Sequence, residues 1–300
     1  MLSVVYFGTS DHFSRLPLAA MARHHRVMGV VQPRPQPDRR RLRRLWSRAV
    51  RRLHLAPNRF ERLARSIGVP CWTAAGRSDP QVAERLEFLR PDFVCIAGYP
   101  WILPPALFQA GRLGALNVHP SLLPRHRGAM PLLWTYLRDD REAGVSVHWV
   151  TESVDAGDLA GRYAFPLPRG CGVASVKHWA AVHGARLLVG ILAAVERGAA
   201  PRTPQDERLV SRAPVVRPGT SMVDFAAWDV ERVWHVLAGL VPHFLEPLRD
   251  AHGRPVSYDG VAEYHRTTHD VEPGTVRTDR GACRLFCRGG VVELIRDGRA

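Results

Sequence analysis

The chain has 300 residues, 46% of them hydrophobic, which is enough for two domains with ordinary cores. Its start reads as a β-strand and not as a signal peptide, and no apolar run approaches the length of a membrane span. We therefore expect no membrane partner. Five cysteines without paired spacing predict neither a disulfide framework nor a zinc site, and they indicate a reducing, cytoplasmic environment.

The net charge of +14 is unevenly distributed along the chain. Lys177 is the only lysine, so the basic residues are almost all arginine. Residues 34–65 hold 12 Arg against two acids, whereas residues 205–300 hold 13 Arg against 14 acids. The basic character therefore belongs to one segment, and it does not by itself indicate a nucleic-acid partner for the whole protein.

The N-terminal pattern predicts a parallel α/β sheet. Residues 4–7 read as a first strand, a turn at 8–10 leads into a helix that ends near Arg23, and residues 27–31 read as a second strand. The turn contains a single glycine and no GxGxxG pattern, so the sequence gives no support for a dinucleotide site.

An arginine-rich segment follows three spaced prolines. Over residues 39–55 the apolar side chains recur at helical spacing, and arginines fill the opposite face. Two interpretations remain open: a helix docked on the domain with a solvated arginine face, or a surface that grips a polyanion. The polyanion could be tRNA, a nucleotide or an acidic membrane surface.

Further strands are predicted at residues 91–97, 114–118 and 145–150, with helices at 58–67, 79–89 and 175–197. Residues 158–167 can extend the sheet edge, and residues 199–220, rich in proline and charge, read as a linker. Beyond them the pattern predicts a helix at 230–240 and short strands around 255–258, 274–278, 282–287 and 291–295. These elements predict a small, barrel-like β domain. The predicted domains are residues 1–203 and 204–300.

Three polar side chains stand out between residues 116 and 158. Asn117 and His119 are two residues apart at a strand end, so they point to the same side of the backbone. Asp155 lies a few residues beyond the next strand. An amide, an imidazole and a carboxylate that meet at one place can polarise a carbonyl group and manage a proton.

These residues, followed by an SLLP loop at 121–124 and a D-x-G-D at 155–158, resemble the fingerprint of the folate-dependent formyltransferase family. Residues 7–13 look like the opening FxGTxxF of that family, and residues 36–39 resemble the QPDR of its methionyl-tRNA formyltransferase branch. The resemblance covers nearly the whole chain. It implies a Rossmann-like, mostly parallel sheet in the catalytic domain and a smaller, β-rich, OB-like C-terminal domain.

The resemblance also implies transfer of a formyl group from 10-formyltetrahydrofolate to an amine, without a metal. His119 and the Asn117 amide would stabilise the negative charge that develops on oxygen, and Asp155 would orient His119 and take up the proton of the amine. By the same resemblance, several residues would contact the folate. They are Tyr99, Trp101, Ile102, Leu103, Ser121, Leu122, Leu123, Pro124, Val154 and Asp158.

The acceptor is less well defined. QPDR and the basic segment after it favour initiator Met-tRNA. The neutral C-terminal region favours a small-molecule amine, such as an amino sugar or an amino-acid derivative. Residues 128–134 (GAMPLLW) also depart from the GAAPI-type run of the tRNA enzymes. We favour the small-molecule acceptor over Met-tRNA.

Residues 205–300 argue against a glycinamide-ribonucleotide formyltransferase, which has one shorter domain. A related folate hydrolase and a non-catalytic RNA-binding protein are further alternatives.

Overall fold

The structure is a computed structural model that describes residues 1–34, 57–279 and 281–296. The predicted arginine-rich helix over residues 39–55 and the QPDR stretch at residues 36–39 lie outside the described residues.

The N-terminal part is built on a seven-stranded, mostly parallel sheet, as predicted. Its strands are β1 (Ser3–Phe7), β2 (Arg26–Pro33), β3 (Cys71–Ala74), β4 (Phe93–Ala97), β5 (Gly114–His119), β6 (Glu142–Trp149) and β7 (Leu159–Pro166). They lie in the order β3-β2-β1-β4-β5-β6-β7, with β6 antiparallel to β5 and the five strands from β3 to β5 parallel. The strand order reverses between β1 and β4, and α/β folds place ligands at the carboxyl ends of strands beside such a reversal.

Helices connect or follow these strands. They are α1 (His12–Met21), α2 (Arg59–Ser66), α3 (Pro80–Leu89), α4 (Pro105–Phe108), α5 (Pro131–Leu137) and α6 (Val173–Glu196). A further helix, α7 (Val230–Leu240), belongs to the C-terminal region. The start of α1 is fixed by Asp11, whose carboxylate accepts a hydrogen bond from the amide of Phe13 at 2.8 Å. Asn58 and Glu61 form a capping box at the start of α2. These caps explain why helices begin close to the predicted residues.

The long helix α6 corrects one expectation from the sequence. By length and composition alone it could cross a membrane, although no apolar run of that kind was expected. Val176, Leu188 and Leu192 are buried within the protein. A Cβ at Gly184 would lie 2.6 Å from the side chain of Val118 on β5, so the helix packs closely on the sheet there. This packing accounts for the apolar composition of α6.

The C-terminal region contains a second, mostly antiparallel sheet of six strands, which confirms the predicted β-rich part. The strands are β8 (Leu248–Asp250), β9 (Pro255–Val256), β10 (Gly260–Arg266), β11 (Thr275–Asp279), β12 (Ala282–Cys287) and β13 (Gly290–Ile295), paired in the order β10-β13-β12-β11-β8-β9. The sequence did not predict β8 and β10. The first is only three residues long, and the second is an edge strand with mostly exposed, polar side chains.

The chain divides into two compact units that are interleaved in sequence. One comprises residues 1–127, 144–163 and 178–211, and the other comprises residues 128–143, 164–177 and 212–300. The predicted domain boundary at residues 203 and 204 stays a prediction. Residues 201–211, which the sequence suggested as part of a linker, are hydrogen-bonded to the first unit.

Candidate active site

The candidate site lies at the carboxyl end of β5, within the first unit. Asn117 and His119 are on the same face of this strand. The antiparallel neighbour β6 places His148 opposite Asn117. The loop after β6 brings Asp155 to the same place. The structure therefore brings together the three side chains that were selected from the sequence, and it adds a second histidine.

His119 is held in a defined orientation by two neighbours. Its Nε2 donates a hydrogen bond to the carbonyl oxygen of His126 at 3.0 Å, because a carbonyl group can only accept. Its Nδ1 faces Oδ2 of Asp155 at 3.6 Å. Burial lowers the pKa of His119, and this effect outweighs the opposite effect of the Asp155 carboxylate. His119 is thus neutral at pH 7, with Nδ1 as its basic atom.

Asp155 lies in a left-handed backbone conformation, with φ of 52°. Such a conformation is uncommon for residues other than glycine, although aspartate tolerates it better than most. It directs the carboxylate back towards β5 and β6, so that Oδ1 lies 3.4 Å from Nδ2 of Asn117 and 3.3 Å from Nε2 of His148. The turn Val-Asp-Ala-Gly-Asp therefore positions the Asp155 carboxylate as well as reversing the chain.

His148 is the site residue that the sequence reasoning missed. Its Nδ1 donates to the carbonyl oxygen of Trp149 at 2.9 Å, which leaves Nε2 as the acceptor for the Asn117 amide at 3.1 Å. The side chain is buried, and its ring lies edge-on to that of His119 with centroids 6.4 Å apart. The sequence signal was a histidine, close to Ser146, in an otherwise mostly apolar strand, a pattern that core histidines also produce.

The predicted folate wall after β4 divides into core and surface positions. Tyr99 packs edge-on against Phe7 and Trp101, with ring centroids 5.3 Å and 5.7 Å away. Leu103 is buried in the hydrophobic core, whereas Ile102 is 56% exposed. Tyr99, Trp101 and Ile102 therefore offer accessible surface, while Leu103 anchors the segment. Their role as folate contacts stays a prediction.

The SLLP loop is tied to β6 by hydrogen bonds. Ser146 donates to the carbonyl of Ser121 at 2.8 Å and accepts from the amide of Leu123 at 3.1 Å. Leu122 packs over Gly144, in space that a Cβ would occupy. Leu123 and Pro124 are buried and joined by a cis peptide bond. These contacts give the loop a fixed shape beside His119.

The remaining predicted contacts flank Asp155. Val154 is half-buried. The backbone carbonyl of Asp158 accepts from the amide of Trp149 at 2.9 Å, and its carboxylate lies 4.0 Å from the guanidinium of Arg202. Both residues lie on the loop that carries Asp155, so the structure places them beside the candidate site.

Two other features of the described residues are formed by different side chains. A cleft of about 700 Å³ is lined by Trp72, Arg85, Phe88 and their neighbours on β3 and α3, and three strands lie between β3 and β5 in the sheet. A group with metal-ligand spacing, formed by Glu263, His265 and Glu293, is in the second sheet. Arg284 already lies 3.5 Å from the Glu293 carboxylate. Neither feature belongs to the candidate active site.

Comparison with known proteins places the chain in a family. Residues 2–170 match the model described as formyl transferase. The chain is 32% identical over 226 residues to the methionyl-tRNA formyltransferase of Synechococcus sp. (strain JA-3-3Ab), covering 75% of this chain and 67% of that protein. It is 28% identical over 310 residues to the same enzyme of Bradyrhizobium diazoefficiens, covering 100% and 93%. The chain therefore belongs to the formyltransferase family.

A solved structure shares the fold over the whole length of the chain. It is the N-formyltransferase from Helicobacter canadensis in complex with folinic acid and dTDP-3-aminofucose, with a TM-score of 0.68 and 12% sequence identity. The alignment covers 99% of both chains. The expectation of a formyltransferase fold with a β-rich C-terminal part is thereby confirmed. The predicted enzyme class is confirmed by the family match and by the named relatives.

Proposed function

We propose that the protein transfers a formyl group from 10-formyltetrahydrofolate to the primary amine of a small metabolite, such as an amino sugar or an amino-acid derivative. Family membership supports formyl transfer. The folate donor is supported by the solved relative that holds folinic acid. The charge balance of the C-terminal region supports a small acceptor.

This charge balance is the observation that carries the proposal. Residues 205–300 have a net charge of −1. Some of the arginines there contact neighbouring carboxylates, and the ion pairs among the described residues include Arg208–Asp206, Arg254–Asp250, Arg266–Asp229, Arg266–Glu231 and Arg284–Glu293. A tRNA-binding surface gains its affinity from cations that neutralise phosphates. Arginines already paired with acids are poorly suited to that task.

The His119–Asp155 pair suits the proton transfer that the reaction requires. A neutral amine that attacks the formyl carbon becomes positively charged and must lose a proton. The basic Nδ1 of His119 and Oδ2 of Asp155 face each other at 3.6 Å, so they can share that proton. The protonated imidazole then stabilises the negative charge on the formyl oxygen. As the tetrahedral intermediate collapses, the bond from the formyl carbon to the folate nitrogen breaks, the proton passes to that nitrogen, and tetrahydrofolate leaves.

Asn117 can supply the second donor for this oxygen. Its amide nitrogen carries two hydrogens and lies near both His148 and Asp155. One hydrogen can stay bonded to the Asp155 carboxylate. The other can leave Nε2 of His148 and bond to the formyl oxygen when the substrate binds. In this role His148 keeps the amide correctly oriented before substrate arrives, because its Nε2 lies 3.1 Å from the amide nitrogen.

Initiator Met-tRNA is the second candidate acceptor. It is favoured by the curated relatives, which act on Met-tRNA by name, and by the 12 arginines of residues 34–65. Most of that segment lies outside the described residues. If Met-tRNA is the acceptor, these arginines would neutralise its phosphates, and tRNA binding would depend steeply on salt. A small amine acceptor makes no such demand on them.

An acceptor panel tests the proposal. Purified protein is incubated with 10-formyltetrahydrofolate and either initiator Met-tRNA, amino-sugar nucleotides or free amino acids. Tetrahydrofolate release is followed, and the formylated product is identified by mass spectrometry. We expect the highest kcat/KM with a small amine. A higher kcat/KM with Met-tRNA, together with tRNA binding that weakens steeply as salt increases, would reject the small acceptor in favour of the alternative.

A further inference from the structure

Residues 201–211 form a strap across the two loops that support His119 and Asp155. The backbone of Thr203 exchanges two hydrogen bonds with Leu159, at 2.8 and 2.9 Å. The indole of Trp149 donates to the carbonyl of Pro201 at 2.9 Å. At the other end, the backbone oxygen of Ser211 accepts from the amide of Arg127 at 2.9 Å. The strap is therefore fixed to the first unit at both ends.

Gln205 lies at the centre of this strap and uses its whole side-chain amide. Its Nε2 donates to the backbone carbonyls of Asp155, at 2.9 Å, and of Gly157, at 2.7 Å. Its Oε1 accepts from Nε and Nη2 of Arg127 at 3.1 and 2.8 Å. Two carbonyl oxygens on one side and two guanidinium N–H groups on the other allow only one orientation of this amide.

Arg127 connects this amide to His119. The residue is buried, and its guanidinium also binds Glu207 of the strap through two hydrogen bonds, at 2.7 and 3.1 Å. It directly follows His126, whose carbonyl oxygen accepts the Nε2–H of His119. A shift of Arg127 would move the carbonyl that sets the orientation of the imidazole.

We propose that Gln205 is a positioning residue for formyl transfer. Its amide joins the loop of Asp155 to the loop of His126, and so fixes the distance between the Asp155 carboxylate and the His119 imidazole. The inference rests on the proposed roles of His119 and Asp155. It also explains how Asp155 keeps its left-handed backbone conformation, because Gln205 holds the carbonyl of that residue.

Two substitutions distinguish the donor function of the Gln205 amide from its acceptor function. Gln205→Glu retains acceptors for Arg127 but loses both donors to the Asp155 loop. Gln205→Met has a similar length and loses all four hydrogen bonds. Gln81→Met is the matched control, because Gln81 is an exposed glutamine on α3, on the other half of the sheet.

Hydrogen exchange of the ligand-free protein tests the connection without an acceptor. Gln205→Met should accelerate exchange in residues 124–127 and 149–158 together. Gln205→Glu should accelerate it mainly in residues 149–158. The control should leave both regions unchanged. Wild-type exchange in both regions of the Met variant would overturn the inference, and so would an equal, global increase in exchange throughout the chain.

Kinetics test the consequence for catalysis. With the panel acceptor of highest turnover, Gln205→Met should lower kcat roughly 10- to 100-fold, while KM for 10-formyltetrahydrofolate changes little. In an Asp155→Asn background the same substitution should have almost no further effect, because the group it positions is already lost. An unchanged kcat, or an equal fold loss in both backgrounds, would contradict the inference. Full turnover by Asp155→Asn alone would instead reject the proposed mechanism.

Discussion

Gly157 provides a direct test of how closely the Asp155 loop must be placed. An ideal Cβ at this position would lie 1.9 Å from the carbonyl oxygen of Trp149, at the end of β6. Real Cβ atoms essentially never approach another heavy atom closer than 3.0 Å. The substitution Gly157→Ala therefore requires a movement of at least about 1.1 Å between the loop and the strand.

This movement can be converted into an expected rate. The loop is held on both sides, by the amide of Trp149 bonded to the carbonyl of Asp158 and by Gln205 bonded to the carbonyl of Gly157. Any shift must therefore be transmitted to Asp155, two residues away. A misplacement of about 1 Å in a catalytic group costs roughly 10²-fold in rate. We expect kcat of Gly157→Ala to fall by about that factor.

The assay is tetrahydrofolate release with the best panel acceptor, together with thermal unfolding to separate rate from stability. Gly76→Ala is the matched control, because a Cβ there meets no atom within 4 Å. It should keep both turnover and melting temperature. If folded Gly157→Ala turned over as fast as wild type, the Asp155 loop would not need its observed position, and the reasoning from geometry to rate would fail.

Three further predictions concern catalysis and stability. His119→Ala should lower kcat by roughly 10²–10³, measured with the acceptor panel, and unchanged turnover would reject the mechanism. Burial lowers the pKa of His235 from 6.5 to about 4. As pH falls, His235 therefore becomes protonated in the unfolded state before it does so in the folded state. The free energy of unfolding should therefore fall by up to about 3 kcal/mol as pH drops from 6.5 towards 4, and denaturant titrations should show this dependence flattened in His235→Asn. The Cβ of Gly190→Ala in α6 meets no atom within 4 Å, so this substitution should stabilise the protein by about 0.5–1 kcal/mol. The Cβ of Gly239→Ala in α7 would lie 2.0 Å from the ring of Tyr136, so this substitution should destabilise the protein by about 1–3 kcal/mol. Thermal unfolding measures both effects.

The sequence predicted those parts of the site that depend on local geometry. Asn117 and His119 share a face because side chains alternate along a strand. His148 was missed because its relation to Asn117 depends on the register between β5 and β6, which apolar patterning alone does not reveal. Once that antiparallel pairing is known, the histidine opposite Asn117 becomes an obvious candidate.

The prediction for residues 199–220 shows a second limit. Proline and charged residues there are typical of a linker, and composition cannot show which backbone groups a side chain will reach. Gln205 contacts Asp155, a residue 50 positions earlier in the chain. The strands were predicted better than the strap because repeated apolar alternation is a stronger signal than one well-placed amide.

The strap has a consequence for recombining this chain with its relatives. A crossover at residues 203 and 204 would supply Gln205, Glu207 and Ser211 from the foreign half, while their partners Asp155 and Arg127 came from the native half. Chimaeras that exchange the C-terminal sheet to change the acceptor should therefore cross over after Ser211, so that the formyl-transfer chemistry is inherited intact.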